Sequence, residues 1–292
     1  MNLAFARVIQ CFGLVGLAIG IVSTDAWASR SQSTGWVEGH KSRVRLISGA
    51  QPTASGVALY TAVDMRMEKG WKTYWRHPGN AGGIPPTFDW SQSVNVRSAT
   101  VVYPAPSRMV DEMGTAIGYK GNAVFPIRLV AADPNRPVIV RLKLFYGICK
   151  EICIPADVQL SLRLEPGQVT QMPVGIARAL AAAPERVSLE DAKAGRGALK
   201  LVSVAPQLNR SPPQLLVSVA GPKTASALDL LAYPVKFMPV GVAKPLGKAG
   251  ADGVRRFAIP IDTDDAAKLK GKELRLVMIG DGRAIETTWR MP

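Results

Sequence analysis

The sequence is poor in the residues that most protein chemistry relies on. Its 292 residues include three cysteines and two histidines. His40 and His77 stand alone, so no paired spacing announces a closed metal site, and there is no Cys-x-x-Cys motif. A basic block is missing too. Thirty-six Lys and Arg against twenty-two Asp and Glu give a net charge of +14, yet the bases are scattered as singles and pairs such as Arg255-Arg256, which argues against a nucleic-acid tail. After residue 28 no apolar run approaches the ~20 residues of a spanning helix, so no integral membrane segment is expected in the mature chain. What is abundant is apolar: 47% hydrophobic with 20% charged residues is a globular composition, sized for one large domain or two ordinary ones of roughly 100–200 residues.

The N-terminus reads as an export signal. A short start carrying Arg7 precedes an apolar stretch from Val8 to Val22, and Ala26-Trp27-Ala28 supplies the small-x-small pattern of a cleavage site. The expectation is a signal peptide over 1–28. Its removal takes Cys11 with it and leaves Cys149 and Cys153 as the only thiols, in an extracytoplasmic, disulfide-permissive space.

Beyond the signal, the pattern predicts an all-β protein: a β-sandwich followed by a second, smaller β-domain. Short alternating segments divided by Gly, Pro and Asn fill the first part, and the clearest pair is Val138–Tyr146 with Val158–Leu164, both apolar at every second residue. The expected boundaries are a first sandwich over 29–168, a linker with a short alanine-rich helix over 169–197, and the second β-domain over 198–292, where alternation returns without Cys or His.

The constellation that can carry chemistry is Cys149-Lys150-Glu151-Ile152-Cys153, placed where the two best strands meet. If those strands form a hairpin, the cysteines flank a three-residue loop, and opposed positions lie about 4.5–5.5 Å apart at Cα, within disulfide range. Three uses of the pair stay open. A structural disulfide gains little from so small a loop compared with the ~3 kcal/mol of a 15-residue one. A soft metal ion would draw on Cys149 and Cys153 with Met109, Met113 or a histidine. A redox-active pair exposes one sulfur to attack and uses the other to resolve the mixed disulfide. Lys150 either lowers a thiolate pKa or caps the turn, and Trp71, Trp75 and Trp90 read as core and turn anchors.

Three stretches resemble one family. Gly70-Trp71-Lys72-Thr73-Tyr74-Trp75-Arg76-His77-Pro78-Gly79-Asn80-Ala81-Gly82, then Asp111-Glu112-Met113-Gly114 ahead of Gly118-Tyr119-Lys120-Gly121, then Tyr146-Gly147 through Cys149, Cys153 and Pro155, are similar in order and spacing to the periplasmic N-terminal domain of DsbD-type thiol:disulfide interchange proteins, including the ScsB-like branch linked to copper tolerance. The resemblance covers about residues 40–166. It implies an immunoglobulin-like sandwich relaying electrons from a membrane reductant to periplasmic thiol proteins, without a cofactor. It also implies roles: Cys153 forms the mixed disulfide, Cys149 is its partner, Asp111, Glu112 and Met113 form a lid, and Tyr74 walls the site. Better-known members place five residues between the cysteines and an aromatic where Met113 stands. The membrane and thioredoxin-like domains of DsbD have no counterpart in this sequence, so the electrons are expected to come from a separate thioredoxin-like or membrane thiol:disulfide protein. A copper-binding protein or a non-catalytic adaptor is the alternative.

Overall fold

The computed structural model describes residues 32–292 apart from 55, 170, 196–198, 222–227, 237 and 264–265; the expected signal peptide and Cys11 lie outside the described residues. In chain order the first part runs β1 (Val37–Gly39), β2 (Ser42–Thr53), β3 (Gly56–Met67), β4 (Lys72–Gly79), β5 (Thr87–Asp89), β6 (Val96–Val101), β7 (Ser107–Asp111), β8 (Gly114–Lys120), β9 (Asn122–Ala131), β10 (Val138–Cys149) and β11 (Cys153–Leu164). These strands form two sheets, one ordered β1-β2-β3-β9-β6 and the other β11-β10-β4-β8-β7, with β5 also pairing with β10. The alternation along β10 and β11 explains the packing: Val140, Leu142, Leu144, Leu160 and Leu162 point inward and meet Val44, Leu46, Val63, Phe125 and Ile127 of the facing sheet. The protein is all-β, an immunoglobulin-like sandwich followed by a second β unit.

That second part is built alike. After α1 (Val174–Ala181), β12 (Glu185–Arg186) and α2 (Leu189–Ala194) come β13 (Lys200–Gln207), β14 (Gln214–Ala220), β15 (Asp229–Pro234), β16 (Lys244–Pro245), β17 (Val254–Pro260), β18 (Glu273–Gly280) and β19 (Arg283–Arg290). Two four-stranded sheets, β12-β19-β18-β15 and β13-β14-β17-β16, enclose Leu215, Val217, Phe257, Ile259, Leu274, Leu276 and Trp289. The stretch expected as a linker carries more order than one helix. Ile176 of α1 is fully buried against Ile47 and Ala62 of the first sandwich, β12 pairs in parallel with β19, and Ser188 caps α2 by accepting the Asp191 amide at 3.0 Å. Among the described residues no helix is long and apolar enough to cross a membrane.

Candidate functional site

The β10–β11 hairpin pairs in unbroken register from Val138↔Leu164 to Cys149↔Cys153, so the cysteines face each other at the end of the ladder. Their Cα atoms are 4.2 Å apart and the sulfurs are joined as a disulfide. The expected three-residue turn is present, closed by the Lys150 amide donating to the Ile152 carbonyl at 3.1 Å.

The two sulfurs sit in different surroundings. Cys149 is 1% exposed, packed in a small cluster with Tyr74, Met109 and Ala116, whereas Cys153, on the outer strand of its sheet, is exposed. The Tyr74 hydroxyl lies 3.3 Å from the Cys153 sulfur. A disulfide sulfur carries no hydrogen, so the phenol donates. Burial, then the nearby Asp111 carboxylate, pushes the Tyr74 pKa up, which keeps the hydroxyl protonated as a donor.

Glycines make room for Tyr74. A Cβ on Gly83 would come within 2.2–2.5 Å of the Tyr74 ring, and one on Gly118 would collide with the Thr73 carbonyl and the Tyr74 backbone. Gly147 lets the hairpin approach the 79–84 loop, where its amide donates to the Ile84 carbonyl at 3.2 Å, and a Cβ at that position would sit 2.7 Å from the Ile84 side chain. Thr73 adds a hydroxyl bond to the Gly147 carbonyl at 2.9 Å. The same loop holds the neighbouring β7–β8 hairpin through Asn80, whose side-chain oxygen accepts the Thr115 amide at 2.9 Å.

The three expected lid residues lie at the tip of β7–β8. Asp111 pairs with Gly114 at the end of the ladder, leaving Glu112 and Met113 as the two-residue turn. Met113 is 74% exposed, and the methionine packed against Cys149 is Met109. Hairpin register is the reason: Met109 opposes Ala116 within the paired strands and faces inward with it, while Met113 lies beyond the last pair. Asp111 accepts the Met113 amide at 3.0 Å and the Lys72 ammonium at 2.9 Å. These contacts, the Lys72 bond foremost, hold its carboxyl below the usual range. Lys72 is the cross-strand partner of Cys149, so the ion pair places a buried ammonium and its counter-ion on the flank of the disulfide. Sequence reasoning did not single out Lys72 or Gly83, though both lie in or beside the quoted Gly70–Gly82 stretch. Lys150 contacts Glu151 at 3.2 Å in solvent. Of the tryptophans, Trp71 and Trp90 pack partly buried against the sandwich core, while Trp75 turns toward the second sandwich. No group of three or more His, Cys, Asp or Glu suited to a metal ion occurs among the described residues.

The comparisons with known proteins bear on this segment. The family model described as thiol:disulfide interchange protein DsbD, N-terminal, matches residues 47–165. No curated protein is significantly similar to the chain. Among solved structures, the chain is similar to the N-terminal periplasmic domain of ScsB from Proteus mirabilis, with a TM-score of 0.62 at 23% identity over 90% of this chain and 99% of that one, a likeness of fold that takes in both sandwiches. The reduced N-terminal domain of DsbD from Neisseria meningitidis also matches, at 17% identity over 41% of this chain and 84% of that one, with a TM-score of 0.23 that is too low to carry a structural argument. Residues 47–165, which hold the disulfide, Tyr74 and the β7–β8 hairpin, are thus the segment of this chain that is similar to the N-terminal part of DsbD.

Proposed function

We propose that this protein passes two electrons between thiol proteins outside the cytoplasm by opening and closing the Cys149–Cys153 disulfide. The observation that carries the reading is the asymmetry of the two sulfurs: Cys149 is buried under Tyr74 and Met109, and Cys153 is open to a partner. In the reducing half, a donor thiolate attacks the Cys153 sulfur, the Cys149–Cys153 bond breaks, and its electron pair leaves on Cys149, which takes up a proton. The donor's second thiolate then attacks its own sulfur in the mixed disulfide, forming the donor disulfide and releasing Cys153 as thiolate. In the oxidising half, the Cys153 thiolate attacks an acceptor disulfide and Cys149 gives up its proton as it resolves the intermediate, so two electrons and the one proton carried by Cys149 move in each half.

Tyr74 supports both halves, because a phenol donating to the Cys153 sulfur stabilises charge there when it is the leaving group and when it waits as nucleophile. The donor is a membrane or thioredoxin-like thiol:disulfide protein and the acceptor a thioredoxin-like protein. Residues 29–168 act as the redox unit and 198–292 as a separate β unit. The family match over 47–165 supports this reading. Mixing the reduced protein with one equivalent of an oxidised thioredoxin-like protein and counting thiols tests it: one disulfide gained here per disulfide lost there is expected, and an absence of transfer removes the relay.

A second reading draws on the packing of Met109 against Cys149. With the disulfide open, two thiols and a thioether form a soft donor set for copper(I), to which exposed Met113 does not belong. Titrating the reduced protein with copper(I) tests it, and a Met109→Leu variant that binds as tightly as the parent would discard it.

A further inference from the structure

The strands beneath the disulfide have a second face. Successive residues of a strand point to opposite sides of its sheet, and β4, β7 and β8 use this alternation in the same way. Tyr74, Met109 and Ala116 lie against Cys149, while their neighbours Trp75, Arg108 and Ile117 turn to the second sandwich. There Trp75 and Ile117 join Leu231, Tyr233 and Val277 in a buried apolar seam, with the Trp75 and Tyr233 rings edge to face at 5.4 Å.

Two arginines pin the seam. Arg108 of β7 donates from Nε and Nη2 to the Asp229 carboxylate at 3.0–3.1 Å and from Nη2 to the Leu230 carbonyl at 2.8 Å, a fork that fixes direction as well as distance. Arg76 of β4 donates to Glu286 at 2.7 Å. Glu286 is 2% exposed and also receives the Tyr233 hydroxyl at 2.7 Å and Arg275 at 3.2 Å. The hairpin that needs holding is β7–β8, because β7 is the terminal strand of its sheet and ends in the exposed turn at Glu112 and Met113.

We infer that the second sandwich is the backing that keeps the three-strand floor closed over Cys149, with Arg108–Asp229 as the positioning pair for the β7–β8 hairpin and Arg76–Glu286 as that for the Tyr74 strand. The inference rests on the exchange reading, in which a closed floor directs partners to Cys153 by denying them Cys149.

The test uses the full chain, reduced, with iodoacetamide as probe and mass spectrometry to read each cysteine separately. Asp229→Ala and Arg108→Ala are expected to raise the Cys149 labelling rate about tenfold by favouring local opening, with Cys153 changed less than about twofold. The swapped pair Arg108→Asp with Asp229→Arg restores protection. Arg290→Ala, which removes the surface pair with Glu273, leaves both rates as they are. Should an alanine variant fail to fold, Asp229→Asn is read in its place with the same expectation. Unchanged Cys149 labelling in both single variants, an equal rise in Arg290→Ala, or a swapped pair that restores nothing would each overturn the inference. Because the probe needs no protein partner, these outcomes are separate from a failure of disulfide transfer, which would sink the exchange reading and leave the labelling pattern standing.

Discussion

The two sandwiches share a construction and differ in what they do with one end of it. Each folds two sheets around an aliphatic core, Leu142, Leu144 and Phe125 in one and Leu276, Ile259 and Phe257 in the other, so burial stabilises both by the same means. The first then crowds its strand ends. Gly83, Gly118 and Gly147 bring three backbones closer than any side chain would permit, and the tyrosine and disulfide fill the space. Among the described residues of the second no such disulfide-bearing end occurs, and two of its buried polar groups, Glu286 and Tyr233, lie on the face that meets the first. On the proposed reading, reactivity follows from local crowding on a stable frame, and the second sandwich supports that end from behind.

The strongest way to disturb this pairing is to remove Glu286. Its buried carboxylate is met by Arg76 and Arg275, both partly covered, and by the exposed Arg186, so Glu286→Ala removes the shared counter-ion and the Tyr233 acceptor and is expected to cost roughly 3 kcal/mol in chemical denaturation. A loss below ~1 kcal/mol would show that the cluster is solvated rather than structural. Gly83→Ala comes next. Its added methyl group must displace the Tyr74 ring, at roughly 1–3 kcal/mol, and should speed reduction of the disulfide by dithiothreitol.

The lid can be sharpened by contrasting two methionines. Met109→Ala is expected to raise the dithiothreitol rate severalfold and to cost stability, since a buried side chain is lost from beside Cys149, on the order of 2 kcal/mol or more. Met113→Ala should do neither, and a faster rate there would mean that the turn folds over the sulfurs. Tyr74→Phe is smaller again. It deletes one hydrogen bond of ~1 kcal/mol, which predicts about fivefold slower alkylation of reduced Cys153 at neutral pH.

The least effect expected is that of His77, stacked on Tyr233 at 4.2 Å in the seam. Burial first, then the Arg76 charge, lowers its pKa from 6.5 to about 4. The folded value is the lower one, so the unfolded chain takes up the proton first as pH falls. The contribution is fully present above pH 6.5 and is lost as pH drops from there toward about 4. Partial solvation of the ring reduces it to the order of 1 kcal/mol. His77→Gln should flatten that part of the stability profile, and an unchanged profile would count against it.

How much of this was legible varied with sequence distance. The Val138–Leu164 hairpin announced itself through strict alternation, and the disulfide followed from a turn too short to hold the cysteines apart. Which methionine packs beside Cys149 was not readable, since a shift of a few residues in the β7–β8 register decides whether Met109 or Met113 faces inward. Alanine richness signalled α1, but nothing local shows that Glu185 and Arg186 pair with β19. The seam was invisible: Arg108 and Asp229 are 121 residues apart and Arg76 and Glu286 are 210 apart, and single charged residues in alternating strands read the same whether they face solvent or another sandwich.

The central claim is that Cys153 is attacked and Cys149 resolves, and trapping tests it most directly. Cys149→Ser and Cys153→Ser, each expressed in an extracytoplasmic compartment, would be compared for mixed disulfides with thioredoxin-like proteins by non-reducing electrophoresis and mass spectrometry. The account predicts accumulation of the complex with Cys149→Ser, because the intermediate on Cys153 cannot be resolved, and little with Cys153→Ser. Equal trapping by both variants, or stronger trapping by Cys153→Ser, would contradict it.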